Sequence, residues 1–90
     1  MYSKTVTIHN PSGLHARPAA VFAKAAAGFA ANITVCRNEV GAEPRDAKSI
    51  LMLMALGLGS GTEISISADG PDEHDAVDTL VELVESGCGE

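Results

Sequence analysis

The sequence predicts an α+β fold in which a four-stranded antiparallel sheet carries three helices on one of its faces. Four segments alternate apolar and polar residues, which is typical of strands with one buried face. Three other segments are alanine-rich or place apolar residues at helical spacing. Their order is β-α-β-β-α-β-α, and three helices suffice to cover one face of four half-buried strands. We expect residues 1–90 to form one domain.

The first part of the chain predicts two strands separated by a helix. Residues 4–9 alternate threonine with valine and isoleucine, and residues 10–13 have the composition of a turn. Residues 16–27 are alanine-rich and predict a helix, which Gly28 is placed to end in the left-handed conformation. Residues 32–36 alternate again and predict the second strand.

The middle of the chain predicts an edge strand and a short helix. Residues 37–46 predict a hairpin tip followed by a short third strand. Pro44 confines that strand to an edge of the sheet, because proline cannot donate a ladder hydrogen bond. Residues 49–56 predict an apolar helix, with the hydroxyl of Ser49 as its N-terminal cap and Gly57 at its end.

The last part of the chain predicts a strand and an amphipathic helix. Residues 62–68 alternate isoleucine and alanine with polar residues and predict the fourth strand. Pro71 fits the first position of a helix, and Asp72 and Glu73 place negative charge at the positive end of its dipole. One apolar stripe at helical spacing follows, formed by Ala76, Val77, Leu80, Val81 and Val84.

The distribution of charge along the chain indicates which kinds of molecule the protein can bind. The net charge is −6, and every lysine and arginine lies at or before Lys48. An acidic chain disfavours nucleic acid, whereas the basic first half fits anionic ligands or partners. The apolar run over residues 50–58 is too short to cross a bilayer. We expect no secretion leader, because no charged segment followed by an apolar run opens the chain. We therefore expect a cytoplasmic protein that does not bind membranes or nucleic acid.

The cysteines and histidines do not predict a metal site. Cys36 and Cys88 are the two cysteines, and a single disulfide is rare in a cytoplasmic domain. His9, His15 and His74 show no ligand spacing with one another or with the cysteines. We expect neither a metal nor a cofactor.

One segment carries the chemistry, where a turn becomes the first helix. His15 lies at that point, and the first amides of a helix point outward without internal partners. The amide of Ala16 and the guanidinium of Arg17 can therefore hold an anion beside the imidazole. Ala19 and Ala20 keep the surroundings small, so that a partner can approach closely.

This arrangement indicates phosphoryl transfer. Neutral imidazole is a nucleophile near neutral pH, and Arg17 with the helix amides would stabilise the charge on a phosphoryl group bound to His15. The alternative is that His15 only caps or packs the helix. A hydrolase using Ser12 is disfavoured, because no acid near His15 in the sequence would orient the imidazole.

The segment resembles the active-site motif of HPr, the histidine-containing phosphocarrier of the bacterial sugar phosphotransferase system. The match covers residues 13–19, Gly-Leu-His-Ala-Arg-Pro-Ala. Residues 48–50 and 54–57 resemble the family's second signature, and residues 61–64 and 69–70 also fit. The resemblance extends over nearly the whole chain in the same order of elements.

The resemblance implies an open-faced β-sandwich and a defined phosphoryl route. Enzyme I, charged by phosphoenolpyruvate, would phosphorylate Nδ1 of His15 to give a pros-phosphohistidine, and enzyme IIA components of sugar permeases would receive the group. Arg17 would be the phosphate partner. Ser49 falls on the family's regulatory serine, which a dedicated ATP-dependent HPr kinase/phosphorylase modifies in many bacteria. The protein would be a carrier rather than an enzyme.

Two features leave the branch of the family open. Residues 37–47 are longer than in sugar-branch members, and residues 85–90 resemble the nitrogen-regulatory branch called NPr. An NPr-like protein would control partner proteins instead of serving sugar uptake. A third hypothesis is a non-catalytic domain in which His15 and Arg17 hold a free anion.

The second helix also predicts a docking surface. A short helix buries one side, so Ile50, Leu51 and Met54 are expected to be partly exposed beside the anion site, with Ala16 and Ala20. The alternative for these residues is core packing. We expect a monomer, as befits a transient carrier.

Overall fold

The computed structural model describes residues 1–10, 13, 16–57 and 59–88. The element order predicted from the sequence is confirmed over these residues. The strands and helices are β1 (Tyr2–Thr7), α1 (Ala16–Ala27), β2 (Asn32–Arg37), β3 (Arg45–Asp46), α2 (Ile50–Ala55), β4 (Glu63–Asp69) and α3 (Glu73–Glu85).

The strands form one antiparallel sheet in the order β1-β4-β2-β3. The central strand β4 pairs with β1 and with β2, so that Ile66 lies opposite Lys4 on one side and Val35 on the other. Alternate residues of β4 are buried, as the alternation of the sequence predicts, and Ile64 and Ile66 have no exposed surface. β3 lies at a sheet edge, which confirms the position that Pro44 predicts.

The helices cover one face of this sheet and enclose the core. α3 packs on β1 and β4, and α1 packs on α2 and α3. Phe22 of α1, Leu53 of α2 and Leu80 of α3 are completely buried. Burial of each such side chain stabilises the fold by about 1.5–3 kcal/mol. The predicted α+β sheet with helices on one face is therefore confirmed.

The end of α1 differs from the prediction. Gly28 was expected to adopt the left-handed conformation, but it is absent from the residues with positive φ. The helix instead ends in a tightened turn, in which the amides of Gly28 and Phe29 donate to Ala25 and Ala26. The carbonyl of Phe29 accepts a hydrogen bond from Nζ of Lys48 at 2.9 Å, so the side chain of a later residue completes the end of the helix.

The start of α3 also differs. The helix begins at Glu73 rather than at Pro71, which lies in the preceding turn. The carboxylate of Asp72 makes no hydrogen bond to its own helix and accepts instead from the amides of Ala30 and Ala31, at 2.8 and 2.9 Å. The carboxylate of Asp72 therefore binds the segment before β2, and it does not cap α3, the helix whose dipole the sequence predicts it to stabilise.

α2 is the short helix that the sequence predicts, with Ser49 as its cap. The amide of Met52 donates to the Ser49 hydroxyl at 3.3 Å. Gly57, with φ of +64°, then turns the chain away after the helix, a conformation that favours glycine. None of the described helices is long and apolar enough to span a membrane.

Candidate functional site

The N-terminal end of α1 is exposed at the position where the sequence places its chemistry. Ala16 is the first residue of the helix, and both Ala16 and Arg17 are exposed. Pro18 and Ala19 turn into the core and fix the helix end to the body of the protein. His15 directly precedes Ala16 in the chain but lies outside the described residues, so its place beside the Ala16 amide stays a prediction.

The same helix end is electropositive. Its first turn contains no acidic residue, and its first amides have no partner within the helix. These amides and the helix dipole favour an anion. Arg17 adds a permanent positive charge, and within the described part of the chain it has no hydrogen bond or ion pair. The arrangement can bind phosphate oxygens.

The chain that leads to α1 is tied to two distant segments. Ile8 exchanges backbone hydrogen bonds with Gly61 and Thr62, at 2.8 and 2.9 Å. Asn10 is buried, and its Nδ2 donates to the carbonyl of Gly87 at 2.7 Å. Sequence reasoning assigned Asn10 only to a turn, because an asparagine before a proline signals a turn and carries no information about a distant partner.

Large apolar side chains are exposed on α2, as predicted for docking. Ile50, Leu51 and Met54 expose 43%, 76% and 47% of their surface. Ala16 is exposed and Ala20 is half-buried on α1, which packs directly against α2. The expectation that these five residues remain accessible therefore agrees with the structure, and their contact with a partner stays a prediction.

Two further large apolar residues are exposed on α1 and α2. Met52, which the sequence left unassigned, is 40% exposed, and Val21 of α1 is 36% exposed. The signal that could have found them is the brevity of α2, whose six residues include one buried side chain, Leu53. We call the set Val21, Ile50, Leu51, Met52 and Met54 the apolar face.

Ser49 lies at the junction of β3 and α2. Its side chain is half-buried, its hydroxyl caps α2, and its amide donates to the Asp46 carbonyl at 3.2 Å. The neighbouring Lys48 donates from its amide to Oδ1 of Asp46 at 3.0 Å. Its ammonium reaches the end of α1, so this short segment connects the two helices that carry the apolar face.

Arg37 holds the opposite end of α2. Its Nη1 donates to the carbonyls of Leu56 and Gly57, at 3.2 and 2.9 Å, and its Nε lies 3.3 Å from Oε1 of Glu39. The guanidinium places positive charge at the negative end of a helix dipole. Sequence reasoning missed this contact, because residues 37 and 56 are distant along the chain.

An exposed ion pair, a hydrogen bond and a ring stack join β1 to α3. Asp78 accepts hydrogen bonds from Lys4 and from the Tyr2 hydroxyl, and these bonds hold the pKa of the Asp78 carboxyl below its ordinary value. The bond to Asp78 also raises the pKa of Lys4. The ring of Tyr2 stacks on His74 with 4.1 Å between ring centroids. These contacts fasten the N-terminal strand to α3.

Side chains that commonly ligate metal ions do not cluster among the described residues. No group of three or more histidine, cysteine, aspartate or glutamate side chains among them could hold an ion. The features that remain at the start of α1 are outward amides, one arginine and a neighbouring apolar face.

Comparison with known proteins gives a consistent match. A family profile described as "PTS HPr component phosphorylation site" matches residues 2–86. The phosphocarrier protein HPr of Haemophilus influenzae is 49% identical over 84 residues, which cover 93% of this chain and 95% of that protein. The phosphocarrier protein HPr of Vibrio cholerae is 48% identical and covers 94% of this chain and 96% of its own length.

A solved structure agrees with the fold as well. The crystal structure of HPr-C-His from Thermoanaerobacter tengcongensis superposes with a TM-score of 0.90 at 43% sequence identity. The superposition covers 100% of this chain and 98% of that one. The order of strands and helices, and the helices on one face of the sheet, are therefore shared with a solved member of that group.

Proposed function

The chain belongs to the HPr family of phosphocarrier proteins of the phosphotransferase system, and within that family we propose that His15 is the residue that carries the phosphoryl group. The observation that supports this proposal most directly is the exposed, acid-free start of α1, with Arg17 unengaged by the rest of the described chain. His15 is the residue immediately before it.

The proposed transfer is an exchange of one nitrogen–phosphorus bond for another. The lone pair of Nδ1 of neutral His15 attacks the phosphorus of phosphorylated enzyme I. The donor's bond to phosphorus breaks, and its electrons remain with the donor. The amide of Ala16 and the guanidinium of Arg17 stabilise the oxygens during the step. In the second transfer a nucleophile of an enzyme IIA component attacks the phosphorus on His15. The bond between Nδ1 and phosphorus breaks, its electrons return to Nδ1, and no cofactor is consumed.

We place partner docking on α1 and α2. Ile50, Leu51 and Met54 expose large apolar surfaces that a partner can cover, and Ala16 and Ala20 present small side chains near the start of α1. A partner that covers these residues also covers the start of α1. The buried apolar surface then contributes affinity, while Arg17 remains at the transferred group.

Ser49 is the proposed site of regulatory phosphorylation by an HPr kinase/phosphorylase. Its hydroxyl already accepts a hydrogen bond from the Met52 amide at the start of α2. A phosphate there would stay close to backbone amides, and it would add negative charge at the edge of the apolar face. An acidic partner would then bind less tightly.

The sugar branch is the first choice, with an NPr-like regulatory carrier as the alternative. The relatives described above are phosphocarrier proteins HPr, which favours enzyme IIA components of sugar permeases as acceptors. The longer segment 37–47 and the tail favour the alternative. In either branch we propose a monomeric, single-domain carrier of the cytoplasm that is not itself an enzyme.

The test is incubation with enzyme I and phosphoenolpyruvate. The expected product is an acid-labile, base-stable phosphoryl adduct that His15→Ala abolishes. Acceptors of the sugar and nitrogen types, offered to the charged protein, distinguish the branches. Retention of the adduct in His15→Ala would contradict the assignment, and tight phosphate binding without a covalent adduct would favour the free-anion hypothesis.

A further inference from the structure

Asn10 is a buried polar side chain that lies shortly before the proposed acceptor residue. It is 3% exposed, and its Nδ2 donates to the carbonyl of Gly87 at 2.7 Å. The bond joins residues 77 positions apart, near opposite ends of the chain. A buried amide that reaches so far fixes the path of its backbone, because the loss of its partner would leave polar atoms unsatisfied.

The acceptor of this hydrogen bond is itself held by the end of α3. Gly87 has φ of +85°, and its amide donates to Val84 at 3.0 Å. The amide of Cys88 donates to Leu83 at 2.9 Å, which completes a Schellman cap. Cys88 is 1% exposed and anchors the cap in the core. The Gly87 carbonyl is therefore a rigid point of attachment.

The backbone around Asn10 is fixed on both sides. Before it, Ile8 pairs with the segment that precedes β4. After it, the amide of Gly13 donates to the Asn10 carbonyl at 2.9 Å, and Gly13 is buried with φ of +71°. α1 then begins at Ala16. Residues 11–15 connect Asn10 to Ala16, the first residue of α1. His15 is one of these connecting residues.

We propose that Asn10 is a positioning residue for phosphoryl transfer, because its amide ties the chain before His15 to the C-terminal cap of α3. The inference rests on the proposed function of His15. It makes the rate of transfer depend on residues 86–88, which cap the C-terminal end of α3.

The bond acts on geometry rather than on docking. The residues proposed for docking lie on α1 and α2, whereas Asn10 precedes α1 and is buried, and Gly87 follows α3 and is half-buried. With this protein as the substrate of enzyme I, loss of the bond between Asn10 and Gly87 should lower kcat for phosphorylation of His15. The KM of enzyme I for this protein should stay unchanged. A misplacement of about 1 Å costs up to roughly 100-fold in rate, so a fall in kcat of roughly 10- to 100-fold is expected.

The test compares Asn10→Asp with a chain truncated after Ser86. Asn10→Asp keeps the size of the side chain and removes the donor, while truncation removes the Gly87 acceptor together with the buried Cys88. Each variant should lower kcat, and adding Asn10→Asp to the truncated chain should cost little more than truncation alone, because the bond is already absent there. The matched control is Ile33→Val, which trims a buried side chain of β2 and lowers stability without altering either partner.

The outcomes separate the inference from the function on which it rests. Full kcat in Asn10→Asp or in the truncated chain, with normal phosphorylation of the unaltered protein, would overturn the inference alone. A loss of kcat in Ile33→Val equal to that in Asn10→Asp would also overturn it, because reduced stability would then be the cause. An unaltered protein that accepts no phosphoryl group on His15 would overturn both.

Discussion

Gly70 lies against Ala31 so closely that a Cβ at position 70 would be 2.6 Å from the Cα of Ala31. The turn before α3 thus packs directly on the residues before β2. The two hydrogen bonds that Asp72 accepts from Ala30 and Ala31 hold the same junction together. This contact sets the position of α3 relative to the end of α1, and through α3 the position of the C-terminal cap.

Gly70→Ala should destabilise the protein by about 1–3 kcal/mol, because the new methyl group would clash with the backbone of Ala31 and one of the two segments would have to move. Urea unfolding measures the change. Gly59→Ala is the control, since a Cβ there has no described atom within 4 Å beyond its chain neighbours, and it should change stability by less than about 0.5 kcal/mol. Equal stabilities of the two variants would contradict the packing described.

Asp72→Asn should weaken the fold in a manner that depends on pH. The hydrogen bonds from the Ala30 amide and then the Ala31 amide hold the pKa of the Asp72 carboxyl below its ordinary value of 3.8. A depressed pKa contributes stability above the pKa of the unfolded chain, and that contribution is lost as pH falls through the pKa of the folded state. The stability gap between the unaltered protein and Asp72→Asn should therefore be largest near pH 7 and should shrink below about pH 4.

The same urea titrations at several pH values test this expectation. Glu73 and Asp78 also have lowered pKa values, because the Gly70 amide and Lys4 donate hydrogen bonds to them. Both carboxyls are present in the unaltered protein and in Asp72→Asn. Their contributions to the pH dependence therefore cancel in the difference between the two free energies of unfolding. A gap that stays constant from pH 7 to pH 3 would show that the charge of Asp72 is not what stabilises the junction.

Leu51→Ser should weaken docking and leave the fold intact. Leu51 is 76% exposed, so its loss should change stability by less than about 0.5 kcal/mol. Truncation of an apolar residue in the centre of an interface costs about 1–2 kcal/mol, which corresponds to a rise of roughly 10-fold in the KM for enzyme I. Val40→Ser, at a fully exposed apolar residue outside both helices, is the control and should leave KM unchanged. An unchanged KM in Leu51→Ser would remove α2 from the docking surface.

Arg17→Gln should slow transfer without affecting stability. The guanidinium has no hydrogen bond or ion pair among the residues described, so its removal breaks none of those bonds in the described part of the fold. Loss of one charged group that stabilises a developing phosphoryl charge should lower kcat by roughly 100-fold. Lys24→Gln, at an exposed base on the same helix, is the matched control. Equal rates for both variants would indicate that only the general charge of α1 matters.

The sequence predicts α1 well because its signals are local. The predicted range 16–27 is the observed one, since an alanine-rich run specifies a helix without help from distant residues. The predicted alternation of residues 62–68 likewise identifies β4 to within one residue. The first strand was predicted at residues 4–9 and is observed at Tyr2–Thr7, because its pairing with β4 begins at Tyr2 and Ala68.

Two of the contacts that the sequence did not predict join residues distant along the chain. Asp72 was expected to stabilise the start of its own helix, but its carboxylate accepts hydrogen bonds from the amides of Ala30 and Ala31. Asn10 was expected to form a turn and also binds Gly87. In each case one polar side chain has several possible partners, and tertiary packing decides among them. The parts of the predicted anion site, a helix start and an arginine, are adjacent in the chain. The structure confirms the start of the helix at Ala16, and the binding of an anion there stays a prediction.

The most direct test of the central claim is the site of phosphorylation after charging with enzyme I and phosphoenolpyruvate. The chain has three histidines, His9, His15 and His74, and NMR of the ring nitrogens identifies which one bears phosphorus. The account predicts a single bond to Nδ1 of His15 that is retained in His9→Gln and His74→Gln. Phosphorus on His9, on His74 or on Ser49 in place of His15 would contradict it.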